Sequence, residues 1–105
     1  MKKQEARVKA RAKVLKAMAH PSRLTILEEL EQGERCVCEL TDAVGADMST
    51  VSRHLSLLRN AGIIGDRRDG VKIYYTLKIP CLKNFFGCIE SVLKQQAKER
   101  QQALS

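Results

Sequence analysis

The sequence predicts a mainly α-helical fold with one two-stranded β-hairpin, in the order ααααββα. Three observations predict it. Apolar residues recur at three- and four-residue spacing through four successive segments ending at Gly62. The period then drops to two, with Val71, Ile73, Tyr75 and Leu77 alternating with Lys72, Tyr74 and Thr76. From Ile79 the helical period returns and holds to about Gln101.

The first helix covers about residues 4–18, with Ala10, Val14, Ala17 and Met18 on one face and Lys and Arg on the others. His20-Pro21-Ser22 stops it, because the residue before a proline avoids helical angles and proline suits the first turn of a new helix. The second helix, residues 21–31, turns Leu24, Leu27 and Leu30 inward and ends near Gly33. A short third covers residues 36–44, with Val37, Leu40 and Val44 at helical spacing and Gly45 as C-cap. Asp47 caps a fourth, residues 48–61, whose buried stripe is Val51, Leu55 and Leu58. Two short helices joined by a glycine-containing turn, the second with a polar exposed face, make a helix-turn-helix.

Asp69-Gly70 is a favoured pair for a tight hairpin turn, since both residues tolerate positive φ. The hairpin it closes carries Arg67, Arg68 and Lys72 at its tip, and a hairpin straight after a helix-turn-helix is a wing. The last helix, residues 79–101, sets Leu82, Phe85, Phe86, Ile89, Val92 and Leu93 on one wide apolar stripe. Residues 1–105 thus read as a single winged helix-turn-helix domain.

Composition narrows the function. The chain has 105 residues, and 19 Lys plus Arg against 12 Asp plus Glu leave a net charge of +7. No apolar run approaches the ~20 residues of a membrane span. The charged start Met1-Lys2-Lys3-Gln4-Glu5-Ala6-Arg7 leads into no apolar segment of a secretory signal. A cytoplasmic protein with a basic surface and no membrane partner is expected. At this length a lone core is barely sufficient, so a homodimer that buries a further face is expected as well.

The charge falls where a DNA reader needs it. Ser49, Thr50, Ser52, Arg53 and Ser56 lie off the buried stripe of the fourth helix. Small hydroxyls let a helix approach the floor of the major groove, and an arginine forks onto guanine or clamps a phosphate. Arg67, Arg68 and Lys72 on the wing suit neighbouring phosphates or the minor groove. Double-stranded DNA is the expected partner. His54, beside the buried stripe, reads as hydrogen-bonded to backbone or phosphate in preference to a metal. His20, before Pro21, reads as a local structural residue.

The runs His20-Pro21-Ser22-Arg23-Leu24, Cys36-Val37-Cys38-Glu39-Leu40 and Ser52-Arg53-His54-Leu55-Ser56-Leu57-Leu58-Arg59-Asn60-Ala61-Gly62, with the wing to Tyr75, resemble the ArsR/SmtB family of metal-responsive repressors, most closely its arsenic-type members. The resemblance covers nearly the whole chain. It implies a homodimer joined through the first and last helices, bound to a pseudo-palindromic operator and released by an inducer. It also implies that Cys36 and Cys38 bind that inducer.

Thiolates favour soft ions, so As(III) or Sb(III) is the expected inducer, with Cd(II) and Pb(II) as alternatives. Residues two apart on an ideal helix point about 200° away from each other. One metalloid would therefore hold both sulfurs only if the first turn of the third helix unwound, which would disturb the recognition helix packed against it. The arsenic-type third cysteine is replaced by Thr41, and residues 1–35 contain no cysteine to serve as in the cadmium/lead type. A third sulfur has to come from Cys81 or Cys88, or be replaced by water or a small thiol. Cys81, after Pro80 at a helix start, is the better placed, since a helix N-terminus favours thiolate; Cys88 falls within the apolar stripe and reads as packing. The zinc-type positions are Ile79, Cys81, Val92 and Gln95, a poor ligand set.

Two other functions would rest on the same cysteines. A thiol redox or persulfide sensor of the same fold would use a disulfide in place of a metal. A thiol oxidoreductase would need a βαβ pattern around Cys36-Val37-Cys38, which is lacking, so no enzymatic activity and no catalytic cofactor are expected.

Overall fold

The computed structural model describes residues 2–104. Among them the elements run α1 (Lys2–Met18), α2 (Pro21–Glu31), β1 (Arg35–Cys36), α3 (Val37–Val44), α4 (Met48–Asn60), β2 (Ile64–Asp69), β3 (Lys72–Leu77) and α5 (Leu82–Leu104). The helices and the β2–β3 wing are those the residue pattern predicts. The short strand β1 was not foreseen.

Local chemistry sets the breaks. His20 leaves α1 in an extended conformation and its Nδ1 accepts a hydrogen bond from the Ser22 backbone N–H at 3.1 Å, capping α2 with Pro21 at the first turn. Gly45 ends α3 at φ 74°, a left-handed value that glycine takes without steric cost. The Asp47 carboxylate accepts from the Thr50 backbone N–H and caps α4.

The sheet is antiparallel, in the order β1-β3-β2. Asp69 pairs with Lys72, so the two-residue loop is Gly70-Val71, one position later than the Asp69-Gly70 expected. Gly70 has φ 65° and Val71 does not have positive φ, which is the pattern of a tight turn with glycine first. On the other edge, Arg35 pairs with Tyr75 and Cys36 with Tyr74. Two residues carry no periodicity, so only the partner strand reveals β1.

The core gathers Ile26, Leu27 and Leu30 of α2, Leu40 of α3, Val51, Leu55 and Leu58 of α4, and Ile63, Ile64 and Tyr75 around the sheet. Each aliphatic side chain buried this way contributes about 1.5–3 kcal/mol. Leu24, expected inside, is 37% exposed, and Ile26 takes its place. The inward face of α2 is rotated by that amount because it meets both α3 and α4.

The helix α5 carries the expected apolar stripe, largely uncovered within one chain. Only Leu82 of its stripe is buried and Phe86 is half-buried, while Phe85, Ile89, Val92 and Leu93 are between 44% and 58% exposed. Cys88, expected to pack, is exposed too. On α1, Val14, Ala17 and Met18 pack against the core, but Ala10 does not, and Val8 and Leu15 are open. The radius of gyration is 16.7 Å, against about 13 Å for a compact domain near this length. Two terminal helices leave the body with apolar surface unspent.

Candidate nucleic-acid interface and thiol site

The outer face of α4 carries Ser49, Ser52, Arg53 and Ser56, which with Met48 line one open concavity. Its inner face is Val51, His54, Leu55 and Leu58, all buried. The hydroxyls of Ser49 and Thr50 are already engaged: both donate to the Asp47 carboxylate, Thr50 at 2.5 Å. Those bonds and the Thr50 backbone N–H hold the Asp47 carboxyl down to about 2. Ser49 and Thr50 therefore secure the start of the recognition helix, and Ser52, Arg53 and Ser56 are exposed.

The wing arginines divide as well. Arg67 grips Glu34 through two hydrogen bonds, at 2.8 and 2.5 Å, and its guanidinium lies 4.7 Å from the centre of the Tyr74 ring. The same bonds hold the Glu34 carboxyl below the usual range, so the pair stays ionised at neutral pH. Arg68 and Lys72 project into solvent. Glu34, a feature no motif flagged, thus competes for one of the cations expected on DNA.

Behind the recognition face, the Arg23 Nε–H donates to His54 Nδ1 at 3.1 Å, and the His54 and His20 rings lie 4.6 Å apart. The partner of His54 is thus a guanidinium on α2, where backbone or phosphate was expected. Burial first, then the charges of His20, Arg23 and Arg53, push the His54 pKa below its ordinary 6.5. The unfolded chain then takes up a proton near pH 6.5 that the folded chain refuses until lower pH. Stability present above pH 6.5 is lost as pH falls through the folded value. A melting-temperature profile should decline over that window, and more gently in His54→Gln; identical slopes for the two proteins would remove His54 from the account.

Cys36 and Cys38 meet at the junction of sheet and helix. Cys36 is the N-cap of α3, with extended backbone at φ −82° and ψ 165°, and its N–H donates to Glu39 Oε1 at 3.1 Å. Because Cys36 stands outside the helix, the ~200° separation of an ideal helix does not apply. The two sulfurs are 2.8 Å apart with no turn unwound. Cys36 is buried and Cys38 exposed, and both are free thiols. Their shared hydrogen bond is the main influence raising the Cys36 pKa.

The pair lines a cavity of about 370 Å³ together with Val37, Met48 and Ser52 of α4, and Val71, Lys72, Ile73 and Tyr75 of the wing. The structure does not bring Cys81 to this place. It precedes α5, which leaves the body along α2 beside Leu24 and Glu28, whereas the thiol pair faces α4 and the wing. Among the described residues no three His, Cys, Asp or Glu side chains are grouped to hold a metal ion. The third-ligand expectation for Cys81 therefore fails within one chain.

Residues 20–65 match the family model described as bacterial regulatory protein, arsR family. A Mycobacterium tuberculosis protein described as an uncharacterized HTH-type transcriptional regulator is 36% identical over 93 residues, 88% of this chain and 82% of that one. The arsenic resistance transcriptional regulator ArsR1 of Pseudomonas putida is 52% identical over 56 residues, 53% of this chain and 43% of that one. Among solved structures, the homodimeric winged helix-turn-helix DNA-binding domain of a possible ArsR-family regulator from Mycobacterium bovis superimposes with a TM-score of 0.80 at 30% identity, covering 94% of this chain and 92% of that one. No helix among the described residues is long and apolar enough to cross a membrane.

Proposed function

The chain belongs to the arsR family of transcriptional regulators, and from that premise we propose a homodimeric repressor that leaves its operator when a soft metalloid, As(III) or Sb(III), binds Cys36 and Cys38. The observation that carries this reading is the 2.8 Å pair of free thiols beside the recognition helix.

The exposed stripe Phe85, Ile89, Val92 and Leu93 on α5, with Val8 and Leu15 on α1, supports dimerisation through the first and last helices. The homodimeric state of the Mycobacterium bovis domain supports it too. Two recognition helices related by a two-fold axis suit a pseudo-palindromic operator. On each half-site Arg53, Ser52 and Ser56 read the major groove, with Ser49 and Thr50 at the helix start. Arg68 and Lys72 serve the flanking phosphates, while Glu34 holds Arg67 back from them.

Release follows from what the cysteines are attached to. The Cys36 backbone pairs with Tyr74 of the wing, and Cys38 lies in the first turn of α3, which packs against α4. Bonding both sulfurs to one centre locks β1 and the start of α3 to each other. That biases the wing and the recognition helix at once, and a ligand shifts an equilibrium only through such differential contacts.

The test is operator release, followed by fluorescence anisotropy, against arsenite, antimonite, cadmium, lead, zinc and a persulfide donor. Arsenite and antimonite should release the DNA at the lowest concentrations. Release by cadmium or lead alone would reassign the inducer to those ions, and release by persulfide alone would make the pair a redox sensor.

The Glu34–Arg67 pair yields a smaller prediction. Glu34→Gln frees Arg67 for a phosphate, so operator affinity should rise at low salt. The log–log salt slope should steepen by about 0.9 per half-site, one neutralised phosphate each. An unchanged slope would mean that freeing Arg67 from Glu34 adds no phosphate contact.

A further inference from the structure

We infer that Met48 reads a base: its side chain packs on the 5-methyl group of a thymine in the major groove and so selects an A·T pair in each half-site. The inference rests on the reading of α4 as the helix that enters the groove, and adds one specificity-determining residue to it.

Met48 opens α4, and Ser52 and Ser56 follow it one and two turns further along the same face. The adjoining row is Ser49 and Arg53, again four apart. Together these residues line one open concavity, of which Met48 is the apolar member. Met48 is 54% exposed, and it belongs neither to the core nor to the hydrophobic residues packed against the core. Ser49, Ser52 and Ser56 are short, so the helix can come close to the groove floor there. Met48 is then a long, unbranched side chain at the end of the helix that enters first.

A thioether donates no hydrogen bond and accepts only weakly, so Met48 gains nothing from a phosphate. In the major groove guanine, adenine and cytosine present hydrogen-bonding edges, and the thymine edge alone adds a methyl group. Against a cytosine amino group or a purine edge, Met48 would displace water and return no bond. Against the thymine methyl it removes apolar surface of both partners from water, and its flexible chain adapts to the exact position of that methyl. Arg53 suits guanine on the same helix. Five residues at 1.5 Å rise set the two readers about 7.5 Å apart along the axis, roughly two base-pair steps.

Met48 also borders the groove at Val37 and Val71, and a side chain that merely fills that groove is indifferent to the base. The experiment separates the two roles. The protein itself selects duplexes from a random-sequence pool. Each thymine of the selected half-site is then replaced, symmetrically in both half-sites, by deoxyuridine, which pairs identically and lacks only the methyl.

At one position the parent protein should lose about fourfold in affinity per half-site, the worth of one buried methyl, hence about fifteenfold in the dimer. Met48→Ala should bind the thymine duplex more weakly by a similar factor and ignore deoxyuridine at that position. Met48→Leu, which keeps a large apolar side chain, should retain the sensitivity. Fluorescence anisotropy at one fixed salt concentration measures every affinity. Equal deoxyuridine penalties in the parent and in Met48→Ala, or no penalised thymine, overturn the inference. In that event weakened binding by Arg53→Ala keeps α4 as the reading helix, and undiminished binding by both variants takes α4 out of the groove.

Discussion

Cys36→Ser combined with Cys38→Ser abolishes inducer-driven release, while operator affinity stays within about twofold of the parent protein. The two halves of this expectation have separate causes. Serine is a hard donor with no affinity for arsenic or antimony that could rival a thiolate, so the ligand loses both bonds. The fold has little reason to notice. Cys38 is exposed, and Cys36 occupies an N-cap position that serine fills well, its hydroxyl accepting from the first-turn N–H groups. The lost response is the whole coupling between sites, which for an allosteric pair is typically about 5- to 150-fold in affinity. Anisotropy titrations with and without arsenite measure both halves on one sample. The single variants should each retain weak binding without full release, because one sulfur cannot tie β1 to α3.

The helices were legible because each apolar stripe is long enough to establish a period and each boundary carries its own chemistry: His20-Pro21, Gly45 and Asp47 cap where they were expected to. What escaped is what depends on partners distant in sequence. The strand β1 exists because Arg35 and Cys36 find the open edge of β3, and two residues give no pattern. The swap of Leu24 for Ile26 has the same origin, since both are apolar and only the positions of α3 and α4 select between them. The open stripe on α5 is a case where periodicity identifies an apolar face and says nothing of what covers it.

The candidate site was legible in its residue types and not in its bonding. Cys36 and Cys38 were singled out, but the geometry expected of them assumed both lay in the helix; placing Cys36 in the cap turns a required distortion into a pair already together. Ser49 and Thr50, expected to face DNA, also donate to Asp47, a bond that helical periodicity does not show. Arg67 was read as a wing cation, and Glu34, 33 residues earlier, neutralises it. Met48 was passed over because a methionine opening a helix looks like ordinary surface, though it lines the thiol cavity from the recognition helix.

Arg53→Ala weakens specific operator binding by about 1–3 kcal/mol per half-site, the range of a bidentate arginine on guanine, and leaves thermal stability unchanged. The Arg53 side chain is exposed and, unlike Arg67, makes no hydrogen bond or ion pair within the described residues, so its removal orphans nothing. Unlike Ser49 and Thr50, it lies past the capped first turn, so α4 keeps its start. Its loss even removes one of the charges that lower the His54 pKa, so any change in stability with pH should be small and favourable near pH 6. The decisive comparison is between operator and random duplex across a salt series. If Arg53 reads a base, affinity falls on the operator far more than on random DNA, and specificity relaxes at one position of each half-site. If it only clamps a phosphate, both affinities fall alike and the salt slope drops by about 0.9 per half-site. A protein that binds its operator undiminished without Arg53 would move the reading face off the surface formed by Ser49, Ser52, Arg53 and Ser56.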